Sequence, residues 1–252
     1  MSMISLHFSP TGGTKQAALA LAKGLGTVNQ EVDLTALTLD DMTIGHDDVC
    51  IISVPSFGGR VPAIAMERLA QLKGHGAKTV LLVSYGNRAI EDTLIELYDG
   101  AIATGFTPVA GVVAVCEHSI MPQFATSRPN QADRAELMAF GKQIALQLNV
   151  DKASALEIPG NRPYRVFGGV PLKPKTSRAC NHCGECAQNC PVGAILKSQP
   201  NQTDTTLCIT CMRCVKRCPQ QARSLNPLLL FLAGQKMKKS CNLYKENQLF
   251  PR

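Results

Sequence analysis

Eight of the eleven cysteines fall into two copies of one spacing. Cys180, Cys183, Cys186 and Cys190, closed by Pro191, read C-x₂-C-x₂-C-x₃-C-P, and Cys208, Cys211, Cys214 and Cys218, closed by Pro219, repeat it. This is the spacing that holds cubane 4Fe–4S clusters. Three cysteines two residues apart wrap a tight loop and point three thiolates inward. The fourth, set in a short helical turn, cannot bend back, so it reaches the other cluster. Cys180, Cys183, Cys186 and Cys218 are therefore expected to hold one cluster, and Cys208, Cys211, Cys214 and Cys190 the other. A zinc site favours two C-x₂-C pairs per ion, which leaves the third cysteine of each run surplus. Disulfides fit poorly in a chain with no secretory signal.

The stretch Arg178–Asn226, one fifth of the 252 residues, resembles the two-cluster bacterial ferredoxins. Three cysteines lie outside it. Cys50 in the run VCIISV and Cys116 after another apolar run read as buried thiols, and Cys241, in a basic stretch, as an exposed one. Free thiols beside cluster ligands point to a reducing cytoplasm. The first residues lack the basic segment of a signal peptide, and the longest apolar run near the end, Leu228–Ala233, is too short to span a bilayer.

About 150 residues upstream of the cysteines can form a complete α/β domain. Strands are expected at Met3–Phe8, Glu31–Ala36, Val49–Val54, Thr79–Val83 and Val109–Val115. Helices are expected at Lys15–Leu25, Ala63–Leu72, Ile90–Ala103 and Ala132–Leu148. The alternation reads as βα repeated five times, a doubly wound parallel sheet. Ligands of such sheets bind at the carboxyl ends of the strands. Three unusual loops meet that edge. Ser9-Pro10-Thr11-Gly12-Gly13-Thr14 joins glycines and hydroxyls to a helix start, an arrangement suited to a phosphate. Pro55-Ser56-Phe57-Gly58-Gly59 and Ser84-Tyr85-Gly86-Asn87-Arg88 follow the third and fourth strands.

The first loop resembles the flavodoxin phosphate loop, [ST]-x-T-G-x-T, with Ser9, Thr11, Gly12 and Thr14 in place. The resemblance implies a flavodoxin-like sheet of order 2-1-3-4-5, FMN as cofactor, and an isoalloxazine ring held by the loops at 55–60 and 84–88, with Phe57 and Tyr85 as its closest aromatics. The order of the two parts, and the phrase YGNRAIEDTL, resemble the flavodoxin–ferredoxin fusion proteins of anaerobic and facultative bacteria. The implied layout is a flavodoxin-like domain at 1–150, a proline-rich linker at 151–176, a small α+β two-cluster ferredoxin-like domain at 177–226 and a basic tail at 227–252.

Arg60 and Arg88 are either charges near the flavin or solvated loop residues. His118 is a weak proton-donor candidate, and the loop 116–130 is the one candidate wall for a substrate pocket. His182, between two ligands, can tune a cluster. Tyr164–Phe167 can pack on either domain and fix their distance, and Leu228–Ala233 can dock as a short helix that leaves Lys236, Lys238 and Lys239 exposed.

Residues 1–171 carry 13 Lys+Arg against 16 Asp+Glu, whereas residues 172–252 carry 13 against 3. The basic half suits an acidic redox partner. Its basic residues are not interleaved with aromatics, so nucleic acid is not expected. The reading is electron transfer between two 4Fe–4S clusters and a bound FMN. The alternatives are a flavin-dependent reductase with a small-molecule acceptor, and a redox sensor. No dinucleotide fingerprint is present for NAD(P)H.

Overall fold

A computed structural model describes residues 2–148 and 156–252. The elements run β1 (Met3–His7), α1 (Gly13–Leu25), β2 (Gln30–Asp33), β3 (Val49–Pro55), α2 (Ala63–Leu69), β4 (Lys78–Tyr85), α3 (Thr93–Ala103), β5 (Thr107–Val115) and α4 (Gln131–Gln147). The five strands pair in parallel in the order β2-β1-β3-β4-β5. This is the expected doubly wound, flavodoxin-like arrangement.

Period-two alternation sends side chains to two cores. Ile4, Leu6, Cys50, Ile52, Leu81 and Val83 face the layer that holds α2 and α3. Val49, Ile51, Val80, Leu82 and Val112 face α1 and α4. Helices α1 and α4 touch backbone to backbone, since a Cβ on Gly141 would lie 2.2 Å from the Leu21 carbonyl oxygen. Cys50 and Cys116 are buried as expected, and His7 is packed inside β1.

The alternation is not five full βα units. No helix joins β2 to β3. Residues 34–48 form turns whose Leu34 and Ile44 plug the core instead. The sheet also has a sixth strand from the far end of the chain.

Beyond α4 come β6 (Lys175–Thr176), α5 (Glu185–Gln188), α6 (Arg213–Arg217), β7 (Arg223–Ser224), α7 (Pro227–Cys241) and β8 (Gln248–Pro251). Strands β6 and β7 pair antiparallel and, with α5 and α6, make the small ferredoxin-like unit, which thus takes in the last two residues of the expected linker. The expected boundary at 150/151 lies outside the described residues.

The basic tail is not a free tail. Strand β8 pairs antiparallel with β5, with Phe250 packing on one core and Leu249 on the other. The expected short helix at Leu228–Ala233 runs on to Cys241, capped by the Asn226 side chain, which accepts from the Leu228 and Leu229 amides. Cys241, expected exposed, is 1% exposed. It lies on the inner face of α7, against Met121 and Phe124. Its basic neighbours hid a helical face that points inward.

The stretch after residue 156 is fixed to the α/β domain. The Asp92 carboxylate accepts from the Asn161 and Arg165 amides at 2.8 and 2.7 Å. Asp99 accepts from Arg162 and from the Tyr164 hydroxyl. Phe167 lies over Gly58. Among the described residues no helix is long and apolar enough to cross a membrane.

Candidate functional site

The three sequence loops converge at the carboxyl edge of β1, β3 and β4. They line an open cleft of about 490 Å³, solvent included, with Thr11, Gly13, Thr14, Pro55, Ser56, Phe57, Ser84, Tyr85 and Gly86 in its wall. Loop one is tied to loop three, because the Thr14 and Ser84 hydroxyls are hydrogen-bonded at 2.7 Å. Ser9 shapes loop one from within, its Oγ accepting from the Lys15 amide at 2.9 Å. Gly12, at φ +97, opens α1 with no side-chain cap, and a Cβ there would meet nothing within 4 Å. The uncapped first turn therefore leaves amides and the helix dipole available to an anion. These residues fit the phosphate and ring of a flavin nucleotide.

Other sequence candidates build the cleft without lining it. Gly58 and Gly59 have φ of +61 and +86, and they close a turn in which Phe57 and Arg60 exchange backbone bonds of 2.9 and 3.2 Å. Only glycine takes that conformation readily at both places. Asn87 is buried and turned to the chain's last segment, donating to the Cys241 and Leu243 carbonyls at 2.6 and 2.7 Å. The Lys245 ammonium donates back to the Asn87 and Arg88 carbonyls. The arginines are paired: Arg60 with Glu96 through two hydrogen bonds of 2.8 and 2.7 Å, and Arg88 with Glu91 at 2.9 Å. Arg60 thus pairs with Glu96, and Arg88 shares Glu91 with Arg165.

The far wall is Cys116, Glu117, His118 and Ser119, the start of the loop expected to form one. His118 Nδ1 accepts from the Ile120 and Met121 amides at 3.2 and 3.3 Å, so its proton sits on Nε2. Burial pulls its pKa down to about 4. The ring is a neutral hydrogen-bond donor rather than an acid. The unfolded chain takes this proton near 6.5 and the folded chain only near 4. Stability is therefore lost as pH falls through that window, by about 3 kcal/mol in all. Urea unfolding between these pH values should show the slope, and His118→Phe should flatten it.

Cys211 was expected only as a cluster ligand, yet it also lies in the cleft wall. The ferredoxin-like unit is seated on the sheet edge by buried arginines. Arg68 donates to the Leu34 carbonyl at 2.6 Å and to the Pro191 carbonyl at 2.5 Å, across the two domains. Arg213 faces Asp33 at 3.6 Å. The eight motif thiols ring two cavities. One is lined by Cys180, Cys183, Cys186 and Cys218, the other by Cys190, Cys208, Cys211 and Cys214. Each cavity gathers three cysteines of one run and one of the other. Among the described residues no three ligating side chains close on a single-ion site.

A second cavity, about 1310 Å³ with open solvent, adjoins the first between the domains. It shares Thr11, Gly13, Glu117 and Ser119 with the cleft, and adds Met212, Val215, Lys216 and Leu230. Sequence reasoning could not place it, because its wall is made by segments a hundred residues apart.

The family described as 4Fe-4S dicluster domain matches residues 179–223. A curated relative, one of the subunits of a tetrathionate reductase from Archaeoglobus fulgidus, is 38% identical over 69 residues, which are 26% of this chain. The match takes in 32% of that relative, so the chain spans about a third of its length. Among solved structures, a flavodoxin from the domain Archaea is 18% identical, with 58% of this chain and 98% of that one covered and a TM-score of 0.42. A flavodoxin of Streptococcus pneumonia TIGR4 is also 18% identical, with 59% and 100% covered and a TM-score of 0.40. At those values the two flavodoxins carry no argument about chemistry, and the α/β fold stands on its strand order. With that order in the first part and the 4Fe–4S match in the second, the chain joins a doubly wound α/β domain of flavodoxin-like strand order to a 4Fe–4S ferredoxin-like unit.

Proposed function

We propose that this chain transfers electrons between two 4Fe–4S clusters and a bound FMN, joining one-electron carriers to a flavin. The observation that carries the reading is Cys211, which belongs both to one thiol-ringed cavity and to the wall of the cleft formed by loops 9–14, 55–60 and 84–88. Cys190, Cys208, Cys211 and Cys214 would hold the cluster beside the flavin. Cys180, Cys183, Cys186 and Cys218 would hold the outer one, with Cys183 exposed. Thr11 and the amides of the first turn of α1 would bind the phosphate, and Phe57 and Tyr85 would flank the ring. FMN bound there supplies a carrier that accepts one or two electrons. The protein holds these groups near each other and sets their surroundings. His118 offers a neutral donor from the far wall.

A partner at the outer cluster meets the basic half of the chain, which suits an acidic surface. A reducing cytoplasm suits the thiols. The reductase reading, with a small-molecule acceptor, is favoured by one observation, the cavity that adjoins the cleft.

The test is anaerobic reconstitution, with iron, sulfide and flavin analysis and an EPR-monitored redox titration. About eight irons and one FMN per chain are expected, with the flavin reduced through the clusters. Fewer than about six irons, or no retained flavin, would count against the reading. Rapid NADH oxidation without any partner would sink the carrier form of it.

A further inference from the structure

Helix α7 has two faces. Leu230, Ala233, Met237 and Cys241 pack inward on Met121 and Phe124. At helical spacing the opposite face carries Leu228, Leu229, Phe231 and Leu232, which are 67, 49, 61 and 51% exposed. Farther along the same face come Lys236, Lys238 and Lys239, all exposed. Four large apolar side chains held in water on one helix are a patch that calls for a cover.

We propose that this face anchors the protein on an anionic membrane surface. An apolar patch beside a cationic stretch supplies the two signals that together hold a protein at an anionic membrane surface. One weak apolar anchor binds only marginally, and a basic cluster supplies the second signal. The apolar residues enter the acyl boundary while the lysines meet phosphate and carboxylate headgroups. The charge of residues 172–252, 13 Lys+Arg against 3 Asp+Glu, draws this half toward anionic lipid and repels a second copy approaching by the same face. The lysines can also reach along their stems to keep their charges in water. The helix has 15 residues and lies against the protein by its inner face, so it rests on the bilayer and does not cross it.

The experiment is flotation of the reconstituted full chain with phosphatidylcholine vesicles, plain or containing about a third phosphatidylserine. Wild type should float with the anionic vesicles and far less with the plain ones. Exchanging Lys236, Lys238 and Lys239 for Gln together should weaken binding about 10²-fold. The double variant Leu229→Asp, Phe231→Asp should abolish it. Both variants change only exposed side chains, and unchanged circular dichroism and iron content serve as the check on folding. The proposal is overturned if wild type binds neither vesicle, if it binds both equally, or if the variants bind like wild type. It is also overturned if light scattering shows a dimer that the aspartates split, since the cover is then a second copy.

Discussion

Cys211→Ala is expected to lower iron from about eight to about four per chain and to halt reduction of the flavin from an external iron–sulfur donor. The residue is one of four thiols around the cavity nearest the cleft and part of the cleft wall itself. Cys183→Ala should lose the same amount of iron, because Cys183 is one of the four thiols around the other cavity. The two variants should differ in what remains. With the outer site lost, a small reductant should still reduce the flavin through the inner site. With Cys211 lost, it should reach the flavin only directly. Stopped-flow absorbance under anaerobic conditions separates the two. Equal flavin reduction rates in both variants would mean that the inner site is not the one coupled to the cleft. Cys116→Ser is the control. Its thiol also lines the cleft, and burial pushes its pKa up to about 12, so it is a packing residue and iron content should not change.

Arg128→Met should give the largest loss of stability, about 3–5 kcal/mol by urea unfolding. The guanidinium is buried and grips the buried Asp133 carboxylate through Nε and Nη2. It also donates to the Lys245 carbonyl at 2.7 Å and lies over the Tyr244 ring at 4.9 Å. Methionine keeps most of the volume but leaves Asp133 as an unpaired charge. Burial alone would raise the Asp133 carboxyl, but hydrogen bonds from Arg128 and the Asn130 amide outweigh it and hold its pKa below the ordinary value. Its contribution is therefore present above the ordinary carboxylate range and is lost as pH falls through the lowered folded value. Adding Asp133→Asn to Arg128→Met should recover part of the loss by removing the stranded charge. No recovery would show that packing on Tyr244, rather than charge pairing, dominates.

The parts of the chain that sequence made legible are those governed by local rules. Cysteine spacing grouped the thiols three from one run with one from the other, and the linings of the two cavities have the same grouping. Short apolar runs placed β1, β3, β4 and β5 within a residue or two. Loop chemistry put Thr11, Phe57 and Tyr85 in one cleft. The parts it hid depend on distant segments. Asn87 has the look of a loop residue facing a ligand, but two carbonyls more than 150 positions away claim its amide. Arg60 and Arg88 sit in polar loops, and only the fold shows that Glu96 and Glu91 neutralise them. Strand β8 is four residues long, too short for a periodic signal, and its pairing with β5 spans the whole cluster unit. The helical face of Cys241 was masked by the lysines that share its helix.

Strand β8 makes the cluster unit an insertion in the α/β domain rather than an appendage to it. The chain leaves the α/β domain after α4 and returns to the same sheet beside β5. A module tied at one end can swing on its tether. This one is tied at both ends, so the thiols cannot drift from the cleft without peeling a strand from the sheet. A second consequence concerns synthesis. The ribosome delivers β1 to β5 first, then both cysteine runs, and β8 afterwards. The edge of β5 thus stays open while the cysteines emerge, and cluster loading has a window before the last strand closes the sheet.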